Sequence, residues 1–308
     1  DRLRSRGLGD VYKRQNKYQE ENYMEHRAPV DMLRFYGGDI RERTKDGKVV
    51  FGESSKDTLW GDNEAYRTLN ALLFDGYENE KERIFKEKKK LKPVFIERLD
   101  ETLAIYTGVF SMMCLQKEKN ISAVKVKRVD RQASLNAYQK GFTGSFVACT
   151  KGAYDTEFAE KNNVILLEVE IPKESPSVDF QQFLSGNEYS NYIEQEVLLP
   201  PFLPLEIEEK PLNLKEKKIR DMHKKPPVGK YLLRTGNFPD YRNEITASKD
   251  ELYERLMRDK EEAAACLQSM NEGNWEDEYQ NYIKWKEDLH NYLKLVYSDL
   301  WYGENTNE

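Results

Sequence analysis

Two glutamates separated by a single residue, Glu194 and Glu196, lie in the stretch whose residue types are best suited to chemistry, Glu194 to Pro201. Residues two apart in a β-strand share a face, so Glu194 and Glu196 would stand side by side, roughly 7 Å apart. Paired carboxylates can stabilise a developing positive charge and accept a proton. An edge strand whose charges simply face water is the alternative, and the local pattern leaves both interpretations open.

A cationic side chain on a second predicted strand could complete such a site. The run from Ala123 to Arg128 alternates apolar and basic residues, which is typical of a half-buried strand. Arg128 alternates in phase with Val124 and Val126, so it is predicted to point to the same, buried face of the strand. A guanidinium on a buried face needs an anionic partner. We therefore predict that Arg128 anchors an anionic group; Arg131 as the anchor, or a structural ion pair, are the alternatives.

Other segments would position these residues. A helix is predicted from Asn63 towards Gly76, and a longer apolar helix from Ile96 to Leu115. The run from Val164 to Ile171 is predicted as a strand. The stretch from Lys173 to Tyr192 is predicted to be a long loop, and loops of this length in compact domains are usually functional.

These segments together resemble the arginine-type mono-ADP-ribosyltransferases, the Arg-Ser-Glu class that includes bacterial toxins. The resemblance covers about residues 62 to 210. It rests on Glu-x-Glu at 194–196 followed by Val, Leu and Pro, on Arg128 in the first strand, and on Tyr-x-x-Leu-Asn-x-x-Leu at 66–73. It implies an α+β fold, with split, mostly antiparallel β-sheets after N-terminal helices, here followed by a C-terminal helical module.

The resemblance also implies NAD as a substrate, and an arginine of an unknown target protein as the acceptor of ADP-ribose. Glu196 would hold the ribose while nicotinamide leaves, and Glu194 would align the acceptor guanidinium and take its proton. Hydrolysis of NAD is the expected side activity, and an effector of bacterial or phage origin is the expected class of protein. The residues implied to bind NAD are Arg128, Tyr66, Asn70, Ser145, Thr150 and Phe158, with Tyr154 as the alternative to Phe158; those implied to recognise the acceptor are Phe183, Tyr189 and Tyr192.

Three departures from the family pattern bear on activity. Ala148-Cys149-Thr150 occupies the place of Ser-Thr-Ser, whose first Ser orients the catalytic Glu, and Ala148 cannot form that hydrogen bond. We predict that Ser145 or Thr150 takes this task. Val129 follows Arg128 where the family has Gly, and Phe74 stands where it often has Arg. A catalytically silent NAD-binding or protein-interaction relative therefore remains an alternative.

Composition limits the other classes of function. The 308 residues are 38% hydrophobic and 12% aromatic, which predicts folded domains with hydrophobic cores rather than a disordered chain. The net charge of −6 does not favour nucleic acid as a partner or as an acceptor. The three cysteines and three histidines are scattered, so we expect neither a disulfide framework nor a metal site. Cys149 is expected to pack rather than react. No apolar run approaches ~18 residues, and no membrane partner is expected.

The predicted organisation has five parts. Residues 1–15 look like translated sequencing adaptor, so the sequence assigns no cellular location: cytoplasmic and secreted both remain open. Residues 16–61 form an extension with a hairpin turning at Asp46-Gly47, and residues 62–210 the transferase domain. Residues 211–245 are predicted as a linker, whose basic part could face acidic partners and whose Tyr231 to Leu233 could dock on the sheet. Residues 246–308 are predicted as two helices, the first opened by the capping box Ser248-x-x-Glu251.

Overall fold

The structure is a computed structural model, and it describes residues 29–37, 41–43, 49–51, 65–74, 91–118, 123–154, 163–184, 195–220, 224–274 and 276–303. Contacts divide these residues into two units. The helical unit holds the described residues up to Leu73, those from 91 to 114 and those from Asp240 onward. The sheet unit holds Phe74 and the described residues from 115 to Pro239.

The elements are numbered here in chain order. The helices are α1 (Pro29–Tyr36), α2 (Ala65–Leu73), α3 (Val94–Glu97), α4 (Leu99–Glu118), α5 (Leu135–Tyr138), α6 (Phe180–Phe183), α7 (Lys249–Glu272) and α8 (Glu276–Tyr302). The strands are β1 (Arg41–Arg43), β2 (Val49–Phe51), β3 (Val124–Arg131), β4 (Val147–Thr150), β5 (Val164–Ile171), β6 (Val178–Asp179), β7 (Glu196–Leu199), β8 (Leu205–Lys210) and β9 (Gly229–Thr235).

The sheet unit is built on one seven-stranded sheet in the order β6-β7-β4-β3-β5-β9-β8. All neighbouring strands are antiparallel except β5 and β9, which run parallel. The predicted mixture of helices with a mostly antiparallel sheet is confirmed. The expected split into two sheets is not seen among the described strands, because β3 pairs with both β4 and β5 and keeps the hydrogen bonding continuous.

The predicted strand from Val164 to Ile171 is β5, with the same first and last residue. Its side chains are mostly buried because it lies in the interior of the sheet, between β3 and β9. The predicted hairpin is also confirmed in its two arms, since β1 pairs antiparallel with β2. Its turn residues lie outside the described part of the chain.

Two stretches predicted to lack regular structure contain strands. The linker predicted over 211–245 includes β9, which pairs with β5 along six residues, so Tyr231 to Leu233 does dock on the sheet. The long loop predicted over 173–192 includes β6 and α6. Both strands form by pairing with residues that are distant in the sequence. Their local sequences, rich in Pro, Gly and polar residues, do not predict a strand.

The helical unit joins segments from both ends of the described chain. Its core includes a stacked pair, Phe110 of α4 and Tyr297 of α8, with ring centroids 4.1 Å apart. The Tyr106 hydroxyl donates to the carbonyl of Leu69, in the middle of α2, at 2.7 Å. This grouping differs from the predicted domain boundaries, because α2 and most of α4 belong with the C-terminal helices. None of the helices within the described ranges is long and apolar enough to cross a bilayer.

The predicted capping box at the start of α7 is confirmed. The Ser248 hydroxyl accepts from the Glu251 amide at 3.1 Å, and the Glu251 carboxylate accepts from the Ser248 amide at 2.8 Å. The helix ends at Gly273, whose φ of 113° lies in the left-handed region that glycine adopts without strain.

We expect Ser248→Ala to lower the free energy of unfolding by about 1 kcal/mol, because an amide at the start of α7 then loses its acceptor. Equilibrium denaturation in urea measures the change. Ser248→Thr keeps the hydroxyl and serves as the control, with an expected change of a few tenths of a kcal/mol. An equal loss in both variants would contradict the capping role.

Candidate active site

Glu196 is the first residue of β7, and its side chain is half-buried. The three residues that follow it, Val197 to Leu199, are buried and fix the strand in the sheet. Gln195, just before it, has a φ of 51°, so the backbone changes direction where the strand begins. Glu194 lies outside the described residues, and its predicted role stays a prediction.

The strand register forms a polar row on one face of the sheet. Glu196 of β7 lies opposite Thr150 of β4, Thr150 lies opposite Lys127 of β3, and Lys127 lies opposite Glu168 of β5. Directly opposed residues on paired strands point to the same face. Since neighbouring strands are about 4.8 Å apart, Glu196 and Lys127 are two strands, or about 10 Å, apart at their backbones. We call these four residues the polar row.

Of the two residues predicted to orient Glu196, the structure brings only Thr150 to it. The Thr150 hydroxyl oxygen accepts from the amide of Gly152 at 2.9 Å, which fixes its position. Ser145 precedes the other end of β4, and its hydroxyl donates to the carbonyl of Phe146 at 3.3 Å. Five residues of extended chain separate the two, about 16 Å, so Ser145 cannot replace Thr150 beside Glu196.

Two members of the polar row, Glu168 and Lys127, were not predicted from the sequence, and Lys127 is the cation of the row. Its ammonium lies 3.4 Å from the carbonyl oxygen of Gly152 and 5.5 Å from the centroid of the Tyr154 ring. Alternation along β3 was visible in the sequence. The sequence did not show which of the two alternating sets of β3 residues shares a face with Glu196, because that depends on the register of β3 with β4.

Tyr154 closes the row on the side of β5. Its hydroxyl oxygen is buried and has no hydrogen-bond partner within the part of the chain that the structure describes. Burial, with Glu168 and Glu216 adding to it, raises the pKa of Tyr154 above its usual value. The tyrosine therefore stays neutral, and its hydroxyl is able to donate a hydrogen bond to a ligand. Its predicted contact with nicotinamide stays a prediction.

A second cation, Lys230 of β9, holds the two carboxylates next to Tyr154. Its ammonium lies 2.9 Å from the Glu168 carboxylate and 2.8 Å from that of Glu216. Lys230 and Glu216 are both buried. Removing one charged residue of such a buried network would leave an uncompensated charge, so the network fixes the position of Glu168 in the polar row.

Arg128, predicted to accompany Glu196, does not belong to the polar row. All eight residues of β3 alternate regularly against β5, and Arg128 is one residue from Lys127, so it projects from the opposite face of the sheet. Its guanidinium donates to the Asp130 carboxylate at 2.8 Å and to the carbonyl of Ala148 at 2.7 Å. The alternative of a structural ion pair describes this side chain. Arg131 has the same parity as Lys127 and lies on the face of the row.

Asp130 is the centre of a hydrogen-bonded cluster on that opposite face. Besides Arg128, three groups donate to its carboxylate at 2.8 Å each: the amide of Arg131 and the hydroxyls of Ser134 and Tyr138. Burial alone would raise the pKa of Asp130, but the charge of Arg128 and these donors outweigh it and lower the pKa to about 2. The cluster is therefore ionised throughout the physiological range and ties β3 to α5.

Cys149 lies on β4 next to Thr150 and is not suited to act as a nucleophile. The side chain is buried, and burial raises the pKa of the thiol to about 12. The negative charges of Asp130 and Glu196 also raise this pKa, whereas the positive charge of Arg128 lowers it. Since the thiolate is the nucleophile, this cysteine packs rather than reacts, as expected from the sequence.

The remaining predicted residues are spread over the chain. Tyr66 and Asn70 lie on α2 in the helical unit, where the Asn70 side-chain oxygen accepts from the Tyr36 hydroxyl at 3.1 Å. Phe183 is half-buried on α6 of the sheet unit. Phe158, Tyr189 and Tyr192 lie outside the described residues. Among the described side chains, no group of His, Cys, Asp or Glu could hold a metal ion.

Known proteins provide only distant likenesses. No family model matches this chain, and no curated protein matches it. Among solved structures, the catalytic domain of VahC from Aeromonas hydrophila is 13% identical, covering 68% of this chain and 97% of that one, with a TM-score of 0.35. The catalytic domain of VsdC from Aeromonas hydrophila is 14% identical, over 68% and 100%, at 0.35. The enzymatic component C2-I of the C2-toxin from Clostridium botulinum is 12% identical, over 64% and 54%, at 0.31.

We expect Asp130→Asn to lower the free energy of unfolding at pH 7 by about 2 to 3 kcal/mol, the worth of a pKa lowered from 3.8 to about 2. Because the folded-state pKa lies below the unfolded one, this contribution is present above about pH 5 and is lost as the pH falls towards 2. Urea denaturation at pH 7 and pH 3 measures the effect, which should be smaller at pH 3.

Glu206→Gln, an exposed acid on β8, is the matched control and should change stability by less than about 0.5 kcal/mol at either pH. A pH-independent loss in Asp130→Asn would contradict the ionised cluster.

Proposed function

We propose that this chain is an NAD-dependent mono-ADP-ribosyltransferase that modifies arginine on a protein, with Glu196 as its catalytic carboxylate. The observation that carries the proposal is the polar row: a half-buried carboxylate directly opposite a fixed hydroxyl, with a cation on the next strand of the same face. The resemblance of residues 62 to 210 to arginine-type transferases gives this row its chemistry.

In the proposed reaction, the bond between C1′ of ribose and the nicotinamide nitrogen breaks, and its electron pair leaves with nicotinamide as a neutral molecule. Positive charge develops on the ribose, and the Glu196 carboxylate stabilises it. Thr150 lies directly opposite Glu196, and a threonine hydroxyl that accepts from an amide, as this one does from Gly152, can donate its proton to a carboxylate on the neighbouring strand. That hydrogen bond would orient Glu196 as the missing serine at position 148 would have done.

The acceptor guanidinium has a pKa above ~12 and is a poor nucleophile while protonated. The proposal gives Glu194 the task of aligning it and taking one proton as its nitrogen bonds to C1′. Glu194 and Glu196 are two residues apart in the sequence, and the proposal assigns one carboxylate to the acceptor and the other to the donor sugar.

Lys127 is the cation that we assign to the NAD phosphates. It shares the face of Glu196, and within the described part of the chain no carboxylate lies within the 4.0 Å of an ion pair with its ammonium. Arg128 is engaged by Asp130 and Ala148 on the other face. An ammonium is a point charge without the bidentate fork of arginine, so it binds phosphate with less geometric selection.

A catalytically silent relative is the second candidate. The observation in its favour is the engagement of Arg128, the residue that the family uses to bind NAD, in a structural ion pair. Transfer of label from NAD to polyarginine excludes this candidate. Transfer of label to RNA instead would favour an enzyme that modifies nucleic acid.

We expect Glu196→Gln to reduce both arginine transfer and NAD hydrolysis by at least 100-fold, because the charge that stabilises the ribose cation is lost. Glu194→Gln should reduce transfer as strongly but leave hydrolysis within about tenfold, since water needs no help in aligning. Labelled NAD with polyarginine, and released nicotinamide, give the two rates. Glu206→Gln, which makes the same substitution at an exposed Glu of β8, is the control. Equal losses of both rates in the two variants would remove the separate roles.

The choice of cation is tested by a pair of substitutions. Lys127→Gln should raise the KM for NAD about 10- to 100-fold, the worth of a hydrogen bond to a charged group, without changing the melting temperature. Arg128→Gln should lower the melting temperature because Asp130 loses its partner. A raised KM in Arg128→Gln with unchanged KM in Lys127→Gln would return the phosphate site to Arg128.

A further inference from the structure

A short, strongly basic surface lies between β8 and β9. We call it the basic loop, and its core residues are Leu214, Lys215, Lys217, Lys218 and Arg220, all exposed. The chain as a whole has a net charge of −6, so four cations within six positions are a local exception. Leu214 is 80% exposed, the most exposed of the large hydrophobic side chains in the described ranges. Single exposed hydrophobic side chains are common on protein surfaces, so Leu214 is informative only together with the cations around it.

The basic loop is held in shape by the one acid within it. Glu216 points inward, is buried, and accepts from the ammonium of Lys230 at 2.8 Å and from the amide of Asn213 at 2.8 Å. The Asn213 side-chain oxygen accepts from the amides of Lys215 and Glu216 at 2.9 Å. The neutralising charge is thus used inside the fold. The loop presents a fixed outer surface on which only cations and Leu214 remain.

Neighbouring residues extend this surface. The guanidinium of Arg220 donates to the carbonyls of Lys217 and Ile219, at 2.6 and 2.9 Å, which closes the end of a short 3-10 turn, Glu216–Lys218. Lys224 and Lys225 are exposed as well, and Val228 is 50% exposed. The described residues that follow the turn therefore include further exposed cations.

Three features identify the chemistry of the partner. Lysine outnumbers arginine, whereas protein interfaces favour Arg and are poor in Lys. The segment from 211 to 229 has no Phe, Tyr or Trp on which a nucleic-acid base could stack. An exposed leucine among lysines fits a bilayer surface, where the aliphatic group enters the acyl boundary and the ammonium groups meet anionic headgroups. We propose that the basic loop binds peripherally to membranes that contain anionic lipid.

The size of the effect follows from surface electrostatics. A lysine near an anionic leaflet strengthens binding about fivefold, so three lysines contribute about 100-fold to the partition coefficient. This contribution falls with ionic strength because the attraction acts over about one Debye length. Insertion of Leu214 adds a part that salt does not weaken.

The test is sedimentation of the full chain with vesicles of phosphatidylcholine alone and of phosphatidylcholine with about 30% phosphatidylserine, at low and at physiological salt. We expect binding to the anionic vesicles only. The triple variant Lys215→Gln/Lys217→Gln/Lys218→Gln should bind about 100-fold more weakly, and Leu214→Ser about tenfold more weakly at both salt concentrations. Circular dichroism verifies that each variant is folded.

A matched triple variant removes the same charge elsewhere. Lys140→Gln/Lys173→Gln/Lys284→Gln alters three exposed lysines outside the loop and should keep binding within about threefold. An equal loss in both triple variants, equal binding to neutral vesicles, or no binding to anionic vesicles would overturn the proposal. The proposal would also be overturned if the chain did not bind vesicles but bound RNA or an acidic polypeptide, and if the triple variant of the basic loop, but not the control variant, lost that binding. Because NAD takes no part in these measurements, the result is independent of the proposed transferase activity.

Discussion

The hydrogen-bond register of β4 with its two neighbours is the constraint on which the site depends. It fixes which side chains of β3 and β7 share a face, because side chains alternate along each strand. With Thr150 opposite both Glu196 and Lys127, one face receives a carboxylate, a hydroxyl and an ammonium in a line. A slip of one residue on either side of β4 would send one of these groups to the other face. The apolar residues that follow Glu196 oppose such a slip, since they would lose their burial.

The two faces of the sheet use charge in different ways. On one face, Arg128 and Asp130 satisfy each other, and the hydroxyls of Ser134 and Tyr138 complete the cluster, so little remains for a ligand. On the other face, Lys230 compensates Glu168 and Glu216, while Lys127 touches a carbonyl and an aromatic ring. A fully compensated cluster stabilises the fold, and an incompletely compensated one is able to bind substrate.

Local signals in the sequence predicted local structure well. The run of Val, Ile and Leu identified β5 to its end residues, and Ser248 with Glu251 identified the start of α7. The apolar run after Glu196 predicted β7, but the predicted strand included Glu194, whereas β7 begins at Glu196 and Gln195 before it has a φ of 51°. What depends on distant pairing was not visible. The face of Arg128, the choice between Thr150 and Ser145, and the parallel pairing of β9 are all decided by partners many residues away.

The helical unit is discontinuous, since its first helices and its last two are separated in the chain by the part of the sheet unit from Leu115 to Pro239. During synthesis from the N-terminus, α4 leaves the ribosome well before α8, whose Tyr297 stacks on Phe110. The sheet unit has all its strands as soon as β9 has emerged, and domains generally fold as units in the order of their synthesis. The apolar side chains of α4 that pack against α8 therefore reach their final burial only after α8 has been synthesised.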